Sequence, residues 1–163
     1  MSYCIINSKN FSSNVKEIEK YIEIDKIAIV LKNNAYGHGL KEMASLAKKN
    51  GIKHAVVINY SEAILINEYF DTILVLSGIP DSNLLPNIHF SINDISDLDK
   101  IPMNAKVEIK VDTGMHRNGI GINQIEDALT IIKTKKIKLV GIFTHFSNAF
   151  EDDGSLDIQK NVF

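Results

Sequence analysis

Six short apolar runs punctuate the chain, and each is rich in β-branched residues. Runs of this length and composition predict β-strands. The predicted strands cover residues 27–31, 54–58, 72–76, 88–92, 107–111 and 139–143. Between most of these runs, the apolar residues take up the three- and four-residue spacing of an amphipathic helix.

That spacing predicts three helices. Their shared apolar faces carry Phe11, Val15, Ile18 and Ile22 in the first, Leu40, Met43, Ala44 and Ala47 in the second, and Ile125, Leu129 and Ile132 in the third. The second helix is expected to stop at Gly51, because glycine readily takes the left-handed conformation found after helices. Asn123 followed by Glu126 predicts the N-terminal cap of the third helix.

Strands alternating with helices over short connections are typical of a parallel α/β sheet. The loop-rich stretch 77–86 has the length of an ordinary connection, so one domain is expected over residues 1–163. A closed eight-stranded β/α barrel takes about 250 residues, so six strands would form an open barrel. A six-stranded doubly wound sheet would be complete at this length, and the pattern alone leaves both folds open.

Composition narrows the class of function. The chain has 45% hydrophobic and 23% charged residues and a net charge of -2, which offers no basic field for nucleic acid or an anionic membrane. No apolar stretch approaches the ~20 residues of a membrane span. The chain has a single cysteine, Cys4, which excludes an intramolecular disulfide and suits a reducing compartment, so we expect a cytoplasmic protein. We expect the Cys4 side chain to be a small buried apolar group. A small-molecule ligand fits this composition best, and no metal site is predicted.

Lys32 follows the first predicted strand directly. Ligands of parallel α/β folds bind at the carboxyl ends of the strands, where partial burial favours the neutral amine that attacks a carbonyl. A lysine whose stem lies along the sheet and whose ammonium reaches solvent would fit the position equally well.

The fifth predicted strand separates apolar from charged residues. Alternation places Val107, Ile109 and Val111 on one face and Glu108, Lys110 and Asp112 on the other. In a barrel the charged face would point inward and form a polar site, whereas in an open sheet it would be the solvated face of an edge strand. Arg117, the only arginine among 18 basic residues, follows this strand and suits a role that needs a planar, permanently charged group.

The stretch from Val30 to Gly39, Val-Leu-Lys-Asn-Asn-Ala-Tyr-Gly-His-Gly, resembles the lysine signature of alanine racemases, which use pyridoxal 5′-phosphate (PLP). The resemblance implies that Lys32 binds the cofactor covalently and that Tyr36 hydrogen-bonds its phosphate. Asn33 stands where the family usually has alanine.

Two further motifs follow in the order that the family has them. The resemblance of residues 106–119 to the family implies that Lys110 carries a carbamate made from carbon dioxide. It also implies that Arg117 binds both this carbamate and the phenolic oxygen of the cofactor. A carbamate is an anion, so it would pair with Arg117 where an ammonium would repel it. Asn118 replaces a usual apolar residue. Residues 141–149 imply that His145 orients a later arginine, and Gln159 and Phe163 fit the helix that follows.

The resemblance implies an incomplete β/α barrel of the alanine racemase type, with about six of eight strands and without the C-terminal β domain. It implies an isomerase that interconverts L- and D-alanine for bacterial cell-wall peptidoglycan, and a homodimer in which the partner supplies a tyrosine as the second base. This chain alone is expected to be inactive. Two alternatives stay open: another PLP-barrel enzyme, such as a broad-specificity racemase or a decarboxylase, and a non-catalytic PLP-binding remnant.

Overall fold

The computed structural model describes residues 3–79 and 84–163, which fall into two compact units. The first unit contains residues 3–79 and 85–88, and the second contains residues 84 and 89–163. The sheet has six strands, which follow the order of the sequence.

The first unit contains three parallel strands, with helices along its chain. Its elements are α1 (Ser8–Ile18), β1 (Ala28–Val30), α2 (Leu40–Lys49), β2 (His54–Val57), α3 (Tyr60–Leu65) and β3 (Thr72–Val75). Short 3-10 turns lie at Ile24–Lys26 and Asn67–Tyr69. The core of this unit consists of the buried face of α2 (Leu40, Ala44, Ala47) and the buried residues of β2 and β3.

The second unit contains most of β4 (Ile88–Ile92), with β5 (Lys106–Val111) and β6 (Lys138–Thr144) beside it in parallel. Its α-helices are α4 (Ile125–Thr134) and α5 (Ser155–Val162), and 3-10 turns lie at Ile95–Asp99 and Ile122–Gln124. Every residue of β4 is buried. The register of β5 against β6 shifts after Val107, which pairs with Leu139, whereas Glu108 pairs with Gly141.

The strand predictions are confirmed, with bounds that differ by at most one residue at either end. The prediction that α2 stops at Gly51 is also confirmed, because Gly51 takes φ +85° directly after the helix. The predicted connection 77–86 lies partly outside the described residues, at positions 80–83. The helix α3 was not predicted, since its six residues are too short for a clear apolar period.

Four local predictions are wrong. The helix α1 ends at Ile18 rather than continuing to Ile22, and both side chains are 40% or more exposed. Asn123 does not cap α4, because it lies inside a 3-10 turn and the cap position is Gln124, whose side-chain oxygen Oε1 instead accepts from the Gly121 N–H. The predicted apolar face of α4 included Leu129, but this residue is 42% exposed, and the buried residues of the helix are Ala128 and Ile132. Cys4 is exposed, since it lies in the extended segment before α1.

No helix among residues 3–79 and 84–163 is long and apolar enough to cross a membrane.

Candidate active site

Lys32 follows β1 after one buried residue. The Leu31 N–H donates to Val56 O on the neighbouring strand over 2.7 Å, and the Leu31 side chain is 1% exposed. These contacts fix the backbone directly before the lysine. Lys32 is half-buried, so a fixed strand end leads directly into a partly buried lysine.

The segment Lys32–Tyr36, which we call the lysine turn, has an uncommon backbone. Asn33, Asn34, Ala35 and Tyr36 take φ values of 54°, 54°, 52° and 55°, and Gly37 follows at 87°. These angles are those of a left-handed helical turn, which L residues other than asparagine and aspartate rarely enter. The turn is closed by the Ala35 N–H, which donates to Leu31 O over 2.8 Å.

The lysine turn brings two predicted site residues together. The Nζ atom of Lys32 lies 5.7 Å from the centre of the Tyr36 ring, within the range of a cation–π contact. Tyr36 is 60% exposed, and the Nδ1 atom of His38 lies 2.8 Å from Ala35 O, so that imidazole folds back onto the turn. An amine and an exposed phenol are thus available on one short segment.

Sequence reasoning missed the residue that contacts the lysine turn from outside. The Glu62 carboxylate, on α3, accepts from the Asn34 N–H over 2.8 Å and from the Ile58 N–H over 3.1 Å. The spacing Asn59 to Glu62 is a recognisable cap pattern, and Asn59 Oδ1 does accept from the Glu62 N–H. That local signal could have located Glu62, but not its contact with a residue 28 positions earlier.

In the second unit, β5 shows the alternation expected from its sequence. Val107, Ile109 and Val111 are each at most 2% exposed. On the other face, Glu108 Oε1 lies 2.8 Å from Nδ1 of the buried His89 on β4. The Glu108 side chain also lies beside Gly141 of β6, where an added Cβ would meet Glu108 Cγ at 3.1 Å. The glycine therefore makes room for a carboxylate between strands.

Lys110 is 6% exposed, and its Nζ donates to Asn118 Oδ1. Asn118 belongs to the loop after β5, and this contact ties the loop to the strand. Arg117 is exposed and makes no ion pair with any carboxylate of the described residues. The structure thus places Lys110 against Asn118, one residue from the predicted partner.

The loop that carries Arg117 is closed at its base. The Asp112 N–H donates to Ile120 O over 3.0 Å, and the Ile120 N–H donates to Lys110 O over 2.8 Å. Asp112 lies just beyond β5. Its carboxylate accepts from the N–H groups of Gly114 and His116 and lies 3.0 Å from His116 Nδ1.

Those hydrogen bonds also favour the ionised form of the Asp112 carboxyl. Burial acts to raise the pKa of the Asp112 carboxyl, but donation from His116 and Gly114 outweighs it, and the pKa lies below its ordinary value. Asp112 is therefore a fixed anion in the loop after β5.

His145 is exposed and follows the last residue of β6, Thr144. The Thr144 hydroxyl donates to Val111 O over 2.9 Å and lies 2.8 Å from the Thr113 hydroxyl, which joins the ends of β5 and β6. From α5, Gln159 Oε1 accepts from both the Ser147 N–H and the Ser147 hydroxyl at 3.0 Å. The segment after His145 is thus anchored to a 97% buried glutamine.

The structure therefore groups the predicted residues by unit. Lys32 and Tyr36 share the lysine turn of the first unit, while Lys110, Arg117 and His145 lie at or beyond the carboxyl ends of strands in the second. In chemical terms, the first group offers an amine and a phenol, and the second offers an amine, a guanidinium and an imidazole.

Comparison with known proteins identifies the family. Residues 6–163 match the model of the alanine racemase N-terminal domain. An alanine racemase of Campylobacter jejuni is 42% identical over 164 aligned residues, which cover 100% of this chain and 50% of that protein. One of a Nitratiruptor species is 41% identical over 93% of this chain and 45% of its own length. The chain spans about half the length of the curated relatives it matches.

Solved structures show the same fold. The alanine racemase of E. faecalis superposes with a TM-score of 0.81 at 31% identity, over 97% of this chain and 47% of that one. The Bacillus anthracis enzyme with bound L-Ala-P gives a TM-score of 0.82 at 26% identity, over 96% and 45%. The chain belongs to the alanine racemase N-terminal domain family, and its parallel six-stranded sheet with helices is an incomplete α/β barrel.

Proposed function

We propose that this protein contributes to the PLP-dependent interconversion of L-alanine and D-alanine. The observation that carries the proposal is the lysine turn, which sets the half-buried Lys32 after the end of a parallel strand and holds the exposed Tyr36 ring near its amine. The relatives named alanine racemase support the same reaction class. The proposal extends to residues 1–163 as the N-terminal part of the barrel domain.

The side chains present fit PLP. Lys32 Nζ would bond to the aldehyde carbon with loss of water, the Tyr36 hydroxyl would donate to the phosphate, and Arg117 would donate to the phenolic oxygen. When bound, PLP supplies an electron sink that stabilises the carbanion left after the α-proton is removed.

In this assignment Lys32 is also a base. Its amine takes the α-proton on one face of the substrate and returns it there in the reverse direction, while a tyrosine of a partner subunit serves the opposite face. His145 positions a later arginine through a hydrogen bond. We accordingly infer a homodimer in the cytoplasm that supplies D-alanine for peptidoglycan.

We also propose that Lys110 carries a carbamate in the assembled site. Its neutral amine would bond to carbon dioxide with release of one proton, and the product anion would pair with Arg117. The burial of Lys110 beside the loop that carries Arg117 supports this proposal. A carbon-13 resonance that appears with labelled bicarbonate and is absent in Lys110→Gln would support it, while an unmodified amine in an assembled site would refute it.

Reductive labelling tests the role of Lys32. The chain is incubated with PLP and treated with borohydride, which reduces the C=N bond, and the labelled peptide is located by mass spectrometry. We expect a pyridoxyl group on Lys32, loss of that label in Lys32→Ala, and an unchanged label in Lys41→Ala, which removes an exposed lysine from α2. Equal labelling of Lys32→Ala and the unsubstituted chain would refute the assignment.

A second candidate is a PLP-binding protein without racemase activity. For the 163-residue chain alone we expect no racemisation, because no second base on the opposite face is assigned within it. Measuring L-alanine turnover with saturating PLP decides the point, and turnover near that of a complete enzyme would overturn this expectation. A different amino acid turned over by the complete enzyme would favour another PLP-barrel activity.

A further inference from the structure

The lysine turn is costly to form. Left-handed helical backbone is strained for an L residue, and the strain is avoided mainly by glycine and, in part, by asparagine. Asn33 and Asn34 suit the conformation better than Ala35 and Tyr36, which take φ values of 52° and 55°. Contacts from outside the turn must therefore hold it in this form.

One such contact comes from a charged group. Glu62 Oε1 accepts from the Asn34 N–H at 2.8 Å, while Glu62 Oε2 accepts from the Ile58 N–H at 3.1 Å. Ile58 is the residue after β2, so a single carboxylate joins the end of β2 to the middle of the lysine turn. Hydrogen bonds to ionised acceptors are about twice as strong as those between neutral groups.

The carboxylate is itself held in place. The Asn59 side chain accepts from the Glu62 N–H over 2.9 Å, which fixes the first turn of α3. On the other side, the Asn34 side chain accepts from the Leu40 N–H over 2.8 Å, which links the turn to the start of α2. Asn34 is thus held by its backbone to α3 and by its side chain to α2.

We propose that Glu62 is a positioning residue, which holds the lysine turn left-handed and so directs Lys32 Nζ and the Tyr36 hydroxyl toward the cofactor. The cofactor part of this proposal rests on the proposed function. A carboxylate is needed because both of its oxygens accept. A glutamine would offer one acceptor and one NH₂ group, and it would therefore turn a donor toward one of the two backbone N–H groups.

The test compares Glu62→Gln with Glu68→Gln, a control that changes an exposed glutamate in the next turn of the same unit. The first readout needs no cofactor: amide hydrogen exchange at Asn34 and Ile58 in the 163-residue chain. The glutamine can turn its NH₂ group toward either N–H, so we expect exchange roughly ten- to a hundred-fold faster at one of these two amides in Glu62→Gln, the ratio set by losing a hydrogen bond to a charged acceptor, and no change in the control. Unchanged exchange at both amides overturns the proposal.

The second readout separates positioning from stability. Borohydride trapping with PLP is followed over time, at a temperature below the thermal midpoint of unfolding of both chains. At this temperature Glu62→Gln remains folded, and it should still slow the labelling of Lys32. If either amide exchanges faster but Lys32 is labelled at the normal rate, the positioning role is refuted. If Lys32 is unlabelled even in the unsubstituted chain, the proposed function fails, and the cofactor role of Glu62 fails with it. The exchange result then still decides whether Glu62 holds the lysine turn.

A milder variant covers the case in which Glu62→Gln does not fold. Glu62→Asp keeps the charge but shortens the side chain by one methylene group, so its carboxylate is withdrawn from at least one of the two N–H groups. Faster exchange at Asn34 or Ile58 with slower labelling of Lys32 is again expected, and normal exchange at both amides with normal labelling would overturn the proposal.

Discussion

Gly119 should be one of the least replaceable residues of the second unit. It lies two residues after Arg117, takes φ +130°, and its N–H donates to Asn93 O over 2.9 Å. A Cβ added there would lie 2.7 Å from Asp112 N and 3.1 Å from Val111 C. Both atoms belong to the backbone where β5 ends, so no flexible side chain can move out of the way.

The cost of Gly119→Ala has two parts. An L residue at so positive a φ costs about 1–3 kcal/mol. Relieving the overlap requires the loop base to move, which weakens the bonds Asp112 N–H to Ile120 O and Ile120 N–H to Lys110 O, each worth about 1 kcal/mol. Alanine lowers the entropy of the unfolded chain and returns about 0.4–1 kcal/mol. We therefore expect a net loss of about 2–4 kcal/mol.

Gly154→Ala is the matched control, because it isolates the backbone strain from the overlap. Gly154 also belongs to the second unit and takes φ +76°, but an added Cβ meets nothing within 4 Å. Its left-handed strain of about 1–2 kcal/mol is partly offset in the unfolded state, so the expected loss is about 1 kcal/mol.

Urea unfolding followed by circular dichroism measures both free energies of unfolding. A loss for Gly119→Ala no larger than that for Gly154→Ala would refute the argument from the closed loop base. The loop after β5 would then be free to rearrange around an added methyl group.

Three further predictions concern charged groups of the second unit. In an active enzyme, Arg117→Lys should lower kcat/KM roughly ten- to a hundred-fold, because lysine keeps the charge but loses the paired donors, and unchanged turnover would exclude that role. Glu108→Ala should cost about 1–3 kcal/mol in urea unfolding, since it leaves the buried His89 without that partner, whereas the exposed Glu126→Ala should cost far less. The folded-state pKa of Asp112 is depressed, so its contribution to stability is complete above its ordinary value of 3.8 and is lost as pH falls through the lower folded value. A carbon-13 titration of this carboxyl should have its midpoint below 3.8, and a midpoint above it would contradict the assignment.

The strands could be predicted from sequence because burial on a parallel sheet demands continuous β-branched and apolar runs. The run Thr72–Val75 illustrates this, since it forms β3 and its residues Ile73 and Val75 are fully buried. Helix ends were harder. The Asn123 cap failed because a 3-10 turn at Ile122–Gln124 precedes α4, and the Gln124 side chain bonds to Gly121 instead. Such a choice depends on competition between neighbouring polar side chains, which spacing does not resolve.

For the site, sequence could indicate which residues carry chemistry, but not how the backbone presents them. Lys32 and Tyr36 were found through a motif, yet the left-handed backbone between them has no period in the sequence. Glu62 was missed because its contact with Asn34 spans 28 residues and exists only once β1 and β2 pair. The contact of Lys110 with Asn118 was missed for a similar reason, since it forms when the loop after β5 turns back on the strand.

The two loops that carry the candidate residues share a physical device. In the lysine turn, the Glu62 carboxylate accepts from the backbone N–H groups of Asn34 and Ile58; after β5, the Asp112 carboxylate accepts from those of Gly114 and His116. Neither loop can satisfy these donors through the sheet, and an ionised carboxylate satisfies two at once without adding a donor of its own. Both loops are therefore shaped by the protein before any ligand arrives, which lowers the ordering cost of binding. The two N–H groups after β5 donate to one oxygen, Asp112 Oδ1, whereas those of Asn34 and Ile58 donate to different oxygens of Glu62. An amide keeps one accepting oxygen. Glu62→Gln should therefore speed amide exchange at its loop, while Asp112→Asn, which can keep both bonds, should change exchange at Gly114 and His116 far less.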